Sequence, residues 1–181
     1  SCFGDTALTR KFLLQAGQHQ FPTGLLANVS NFNSMARWRT WTKAIPDYSL
    51  WWIGALLDQF LYTGDLELLH RLYPQALRIL DTHLDYLNDK MLIENMPYWV
   101  FIDWADVEKS GICGIYNAIF YRTLSRLNQL ALYKGDRYTA ELTGKLQVAM
   151  KPAFHAALFD KRRGCFADAN IDGKLSDKIS E

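Results

Sequence analysis

From Tyr48 to Leu61 the chain reads YSLWWIGALLDQFL, apolar nearly all the way round a helical wheel, which is the pattern of a helix buried on most sides. The next run differs. From Leu66 to Leu87 the apolar residues fall at Leu68 and Leu69, Leu72 and Tyr73, Ala76 and Leu77, Leu80, Leu84 and Leu87, with Arg71, Arg78, Asp81 and Asp85 between them. This spacing predicts an amphipathic helix with one solvated face, interrupted where Pro74 starts a new first turn.

The pattern then recurs. FLYTGD at 60–65 and ALYKGD at 131–136 align, and NDK at 88–90 meets FDK at 159–161 at the same spacing, so the chain contains a repeated unit. Each unit holds a largely buried helix (Tyr48–Leu61, Ile112–Tyr133), a tight Gly-Asp turn and a half-exposed helix (Leu66–Leu87, Tyr138–Leu158). Glycine in this turn suits a left-handed C-cap, and the aspartate suits the N-cap of the following helix. Longer, partly extended segments follow the second helix of each unit, at 21–46, 91–110 and from Arg162 onward. Short turns therefore alternate with long connections. If the buried helices form an inner ring and the amphipathic ones an outer ring, all long connections share one mouth, where a ligand pocket is expected. The fold expected is all-α, helical hairpins with short extended segments in the long connections, over residues 1–181 as one unit.

Composition narrows the function classes. A chain of 181 residues that is 49% apolar and 14% aromatic can bury a substantial core. Lys plus Arg is 20 against 19 for Asp plus Glu, without a concentrated run of either sign, so no nucleic-acid partner is expected. No membrane partner is expected either, because Asp58, Gln59 and Asp65 interrupt the most apolar stretch. Cys2, Cys113 and Cys165 lie far apart with no metal-ligand spacing and read as buried thiols. His19, His70, His83 and His155 never pair as ligands, and exposure on amphipathic helices accounts for three of them. Neither a metal nor another cofactor is implied, and no phosphate loop or Ser or Cys nucleophile arrangement is present.

The run IPDYSLWWIGALLDQFLYTGDLELLHRLYP, followed by FIDWADVEKSGICGIYNAIFYRTLSRLNQLALYKGD, resembles the catalytic domain of α-L-rhamnosidases of glycoside hydrolase family 78. The resemblance covers nearly the whole chain, and the pairing of PDYSLWW with a later Asp-Trp and Gly-Asp turn is more specific than any of these alone. It implies part of an (α/α)6 barrel of six helical hairpins, and a hydrolase that removes terminal α-L-rhamnose with inversion from a rhamnose-containing glycoside or polysaccharide. Inverting hydrolysis needs an acid and a base carboxyl roughly 6.5–9.5 Å apart. In the family the acid belongs to an acidic motif ending in Trp-x-Gly-Asp and the base is a glutamate in a distant hairpin. Neither motif is in this sequence, so neither role passes to a residue here. The chain reads as a piece of a longer catalytic domain. Asp5, in FGD, lacks the preceding Arg and Trp and reads as a helix cap with Thr6.

What the resemblance does imply is a sugar-binding wall. Family tryptophans at the mouth hold the deoxysugar, whose methyl and axial C–H groups suit an indole face, and Trp104 matches one of these. Its neighbour Asp103 is either a charged acceptor for sugar hydroxyls or a loop carboxylate capping local backbone. Trp51 and Trp52 lie about 100° apart on a helix, and Trp52 is assigned to the pocket and Trp51 to the core. Asp47 follows Pro46 at a helix start, a capping position that is also a candidate sugar contact. Trp38 and Trp41 read as anchors of a long loop, and Glu94, Asp106 and Glu108 as solvated carboxylates near the mouth.

Two other classes compete: a different toroidal carbohydrate enzyme (exo-glycosidase or polysaccharide lyase), and a helical-repeat module that binds protein. A module of that kind normally shows several closely similar repeats, whereas these two units agree more in turns than in helices. An isolated partial ring would expose apolar edges, so the expectation is self-association and no turnover by this piece alone.

Overall fold

The computed structural model describes residues 4–28 and 44–179. Trp38, Trp41 and Cys2 lie outside them. Five helices dominate the described residues: α1 (Ala7–Gln18), α2 (Pro46–Thr63), α3 (Leu66–Leu84), α4 (Gly114–Lys134) and α5 (Arg137–Leu158). Short strands punctuate the connections: β1 (Ile112–Cys113), β2 (Phe159–Asp160), β3 (Cys165–Phe166), β4 (Ala169–Ile171) and β5 (Lys174–Leu175).

α2 and α4 are the largely buried helices and pack side by side. α3 lies against α1, α2 and α4, and α5 lies against α4. The α2/α3 and α4/α5 hairpins are thus the repeated units that the pattern predicts. One correction concerns Pro74. It sits inside a continuous α3 without a break, although its ring nitrogen cannot donate to the His70 carbonyl. Leu69, Leu72, Tyr73 and Ala76 on either side of it are all buried, so packing carries the helix through the proline.

Both short turns follow one design. Gly64 (φ 66°) and Gly135 (φ 76°) end the inner helices in the left-handed conformation, which a residue with a Cβ adopts only at a cost. Asp65 and Asp136 then cap the outer helices, Oδ1 accepting from the Leu68 amide at 2.9 Å and from the Thr139 amide at 3.0 Å. In each case Oδ2 takes a donor from the preceding outer helix, Arg10 Nε at 2.9 Å for Asp65 and the Tyr73 hydroxyl at 2.9 Å for Asp136. One carboxylate per turn therefore caps its own hairpin and ties it to the previous one.

At the opposite end each outer helix runs into a tight reversal, bridged at Gln20 and Leu26, at Leu87 and Ile93, and as the β2–β3 hairpin. Asn88 Oδ1 accepts from the Lys90 and Leu92 amides and Asp160 Oδ1 from the Arg162 amide, so these side chains correspond. The repeat at this point is one residue out of step with the NDK/FDK alignment. A polar residue of the next inner helix latches two of the reversals: Ser49 Oγ accepts from the Leu26 amide at 3.0 Å and Asn117 Oδ1 from the Ile93 amide at 2.8 Å.

The core runs between the helix layers. His83 belongs to it and is a second correction, being 0% exposed where surface exposure was expected. Its Nδ1–H donates to the Ile79 carbonyl at 2.7 Å, which leaves Nε2 to accept from the Tyr116 hydroxyl at 2.8 Å, and the ring stacks on Phe120. Burial pushes its pKa down to about 4, so the ring is neutral. Cys113 is buried, as expected, and Cys165 is half-buried. Beyond α4 and α5 the surface is an apolar groove lined by Ala118, Tyr121, Met150 and Phe154, with Lys151 at its side. Among the described residues no helix is long and apolar enough to cross a membrane.

Candidate functional site

Among the described residues, the connection from α3 to α4 meets the start of α2 and the connection that follows α5. The connection from α3 to α4 carries the Asp103–Trp104 pair and is pinched at its neck. The Asn95 amide donates to the Gly111 carbonyl at 3.0 Å and the Gly111 amide to Asn95 Oδ1 at 3.1 Å. Gly111 sits at φ 60° against the next connection, where a Cβ would fall 2.4 Å from the Asn170 carbonyl oxygen, so no larger residue fits unshifted. Next to it β1, β4 and β5 form a small antiparallel sheet, Ile112 opposite Asn170 and Cys113 opposite Ala169, which joins this connection to the one after α5.

Inside the loop Phe101 is the hub. Its ring meets Tyr48 at 6.0 Å, Trp99 at 5.4 Å and Trp104 at 5.2 Å, all near edge-to-face. Lys109 crosses the loop, its Nζ donating to the Phe101 carbonyl at 2.6 Å and standing 5.9 Å above the Phe101 ring. Trp104 projects from this cluster with 86% of its surface exposed. An indole so open, held at one edge by another aromatic ring, can lie against an apolar ligand face.

Asp103 is exposed beside it. Its Oδ1 accepts from the Trp104 amide at 2.7 Å, which is the local capping expected as one of its two readings. A carboxylate has capacity for further donors, so this bond and a ligand hydroxyl are compatible.

Asp47 differs from expectation. α2 starts at Pro46 with Ile45 as its N-cap, so Asp47 lies in the first turn and does not cap the helix. Its carboxylate is 0% exposed, with Oδ1 accepting from the Phe101 amide at 3.0 Å and Oδ2 from the Ile102 amide at 3.2 Å. Burial raises its pKa, and the two amides and nearby Lys109 work in the opposite direction. It supports the mouth loop from beneath and does not reach a ligand-accessible surface. The Ile102 it holds is at φ 59°, a conformation that costs a β-branched residue roughly 1–3 kcal/mol.

The two tryptophans of α2 exchange places relative to expectation. Trp52 is 3% exposed, in the core, with Nε1 donating to the Leu13 carbonyl at 3.3 Å. Trp51 is 45% exposed, and the Arg122 guanidinium of α4 stands 5.4 Å over its ring. The reason is angular. Tyr48, Trp51 and Asp58 share the open stripe of α2, whereas Trp52 falls in line with the buried Ser49, Leu56 and Gln59.

The other carboxylates are engaged locally. Asp5 accepts from the Ala7 amide at 2.8 Å on the exposed start of α1. Glu94 accepts from the Asn88 amide group at 2.9 Å, and Asp106 pairs with Lys178. Glu108 accepts from the Ser110 and Lys109 amides at 3.0 Å each, and these bonds lower its pKa, those from Ser110 most. Among the described residues no group of three or more His, Cys, Asp or Glu is placed to hold a metal ion.

Sequence reasoning missed Phe101 as the hub, together with Trp99, Tyr48 and Lys109. The available signal was the alternation of Trp99 and Phe101 in an extended run directly before Asp-Trp, which places both rings on one side of the strand-like backbone.

Comparison with known proteins adds to this picture. The profile of the bacterial alpha-L-rhamnosidase 6 hairpin glycosidase domain matches residues 1–176. Among solved structures, a GH78 family rhamnosidase of Bacillus sp. GL1 superposes with a TM-score of 0.82 at 23% identity, over 96% of this chain and 18% of that one. A rhamnosidase from Klebsiella oxytoca with rhamnose bound superposes with a TM-score of 0.71 at 22% identity, over 93% of this chain and 32% of that one. The chain thus spans less than a third of the length of either. Among curated proteins there is no significant match.

Proposed function

This chain belongs to the bacterial alpha-L-rhamnosidase six-hairpin glycosidase domain family, and on that premise we propose that it forms the sugar-binding wall of a glycoside hydrolase that removes terminal α-L-rhamnose with inversion. The observation that carries the proposal is Trp104, an indole 86% exposed at the mouth beside an exposed carboxylate. The indole covers the apolar face of the deoxysugar and Asp103 accepts from adjacent hydroxyls, a charge-assisted bond that fixes the ring's orientation. In inverting hydrolysis one carboxyl protonates the departing oxygen while another draws a proton from the attacking water. We assign neither role to a residue of this chain. A general acid needs a raised pKa, and Glu108 at the mouth is lowered while Asp106 is paired with a lysine. The contribution here is binding and orientation. The substrate class is a rhamnose-containing glycoside or polysaccharide.

The test uses the full-length protein and an aryl α-L-rhamnoside. Trp104→Ala and Asp103→Asn each lower kcat/KM by about 2 kcal/mol, roughly thirtyfold, with the fold retained. Unchanged kcat/KM in the Trp104→Ala variant removes the sugar-wall reading. The apolar groove beside α4 and α5 supports a second expectation, that the 181-residue chain alone self-associates. A monomer across the micromolar range in size-exclusion chromatography would end it.

A further inference from the structure

We propose that Asp47 is a positioning residue whose buried carboxylate, by accepting from two consecutive amides of a different hairpin, holds the turn that presents Asp103 and Trp104. The inference rests on the sugar-wall reading for its functional part, and on the geometry alone for its structural part.

The argument begins with Ile102. A β-branched residue at φ 59° reverts to extended or right-handed backbone unless its surroundings forbid it. Here the Phe101 amide lies 3.0 Å from Asp47 Oδ1 and the Ile102 amide 3.2 Å from Oδ2, so both N–H groups converge on a single carboxylate. Convergence of consecutive amides on one anion is possible only for a narrow set of backbone conformations. The same turn returns the Asp103 amide to the Phe101 carbonyl at 2.7 Å, and Lys109 Nζ donates to that carbonyl from the far side of the loop. Tyr48, the next residue of α2, meets the Phe101 ring edge-on. Asp47 and Tyr48 therefore fix the backbone and the ring of Phe101 from one rigid helix start. The two residues that follow the turn are the exposed pair. The Trp104 indole touches Phe101 and little else, so its direction is set by the backbone at 101–103. Without the clamp, a rotation at Ile102 would swing the indole away from the mouth.

The experiment uses the full-length protein and reads two quantities, amide exchange at Phe101 and Ile102 and kcat/KM on an aryl α-L-rhamnoside. Asp47→Asn keeps the side-chain shape but turns one acceptor into a donor facing an N–H. The expected result is exchange at both amides at least tenfold faster and kcat/KM at least tenfold lower. Adding Ile102→Gly, which accepts the positive φ without strain, then restores at least a third of the lost kcat/KM. A purely structural role for Asp47 would lower thermal stability and leave nothing for the glycine to rescue. Ile102→Pro is the second variant, because it forbids the positive φ and removes one of the two amides while Asp47 and the helices stay intact. It also loses at least tenfold in kcat/KM. Parent-like exchange in Asp47→Asn overturns the proposal, and so does parent-like kcat/KM in Ile102→Pro when Trp104→Ala itself loses activity. If exchange accelerates in Asp47→Asn while Trp104→Ala turns over rhamnoside normally, the clamp is upheld and the sugar-wall reading alone falls.

Discussion

At the short-turn end, Gly64–Asp65 and Gly135–Asp136 solve the same problem twice with the same local parts: a left-handed glycine, a capping aspartate, and one donor from the outer helix before. At the mouth, residues 95–111 are built differently. A β-branched isoleucine takes a positive φ there, its support comes from a different hairpin, and the indole of Trp104 faces outward. The contrast teaches where each kind of conformational cost is met. Turn costs are absorbed by choosing residues that lower them in place. The mouth keeps its costly conformation and offsets it with bonds that reach across 54 and 55 residues of sequence.

The comparison can be broken most severely by weakening the frame that both ends share. Phe120 is fully buried between α3 and α4 against His83. Phe120→Ala should cost about 3–5 kcal/mol in denaturant unfolding, with both ends failing in one transition. Two separable transitions would show that the ends are energetically independent.

Acid sharpens the comparison next. The His83 pKa, near 6.5 when unfolded and about 4 when folded, means the unfolded chain binds more protons in that interval. Stability is therefore full above pH 6.5 and falls as pH drops toward 4, by about 3 kcal/mol. His83→Gln should flatten that part of a stability-versus-pH curve. At still lower pH the short turns follow. Asp65 and Asp136 are held below the usual carboxylate range, Asp65 chiefly by its bond from the Leu68 amide and Asp136 by its bonds from Thr139. Their contribution is present above the ordinary carboxylate pKa and is lost as pH falls through the lowered values.

A smaller effect comes from one turn at a time. Asp136→Ala removes the cap and the bond from the Tyr73 hydroxyl, for about 1–2 kcal/mol of thermal stability. Asp65→Ala should cost about the same, since it loses the Leu68 cap and the Arg10 pair; a difference above about 1 kcal/mol would show the two turns are not equivalent. Trp104→Ala is the smallest. An indole 86% exposed contributes within about 0.5 kcal/mol to folding, so its melting curve should overlay that of the parent.

The short-turn end was legible because its information is local: Gly followed by Asp after an apolar run states both caps within two residues. The hairpin order was legible for the same reason, through recurrence. The mouth was legible only in part. Trp104 could be found as an aromatic in a turn, but the partner of Asp47 lies far away in sequence, and a first-turn aspartate looks the same whether it faces solvent or a distant amide. Trp51 and Trp52 were exchanged because in YSLWWIGALL both sides of α2 are apolar, so periodicity could not say which stripe is left open by its neighbours. The burial of His83 is not legible because a single histidine on a half-exposed helix carries no sign of the Tyr116 hydroxyl that satisfies it.

The latches from Ser49 and Asn117 bear on the order in which the molecule assembles. Each closes a loop of modest length, 23 residues to the Leu26 amide and 24 to the Ile93 amide, from the reversal after one outer helix to the next inner helix. Loop-closure entropy rises only with the logarithm of length, and contacts of this range form early compared with those that span a whole domain. A newly formed hairpin can therefore register against the one before it without waiting for a ring to close. The bonds that Asp47 accepts from the Phe101 and Ile102 amides span 54 and 55 residues, so they close a longer loop than either latch, at a somewhat higher entropic cost.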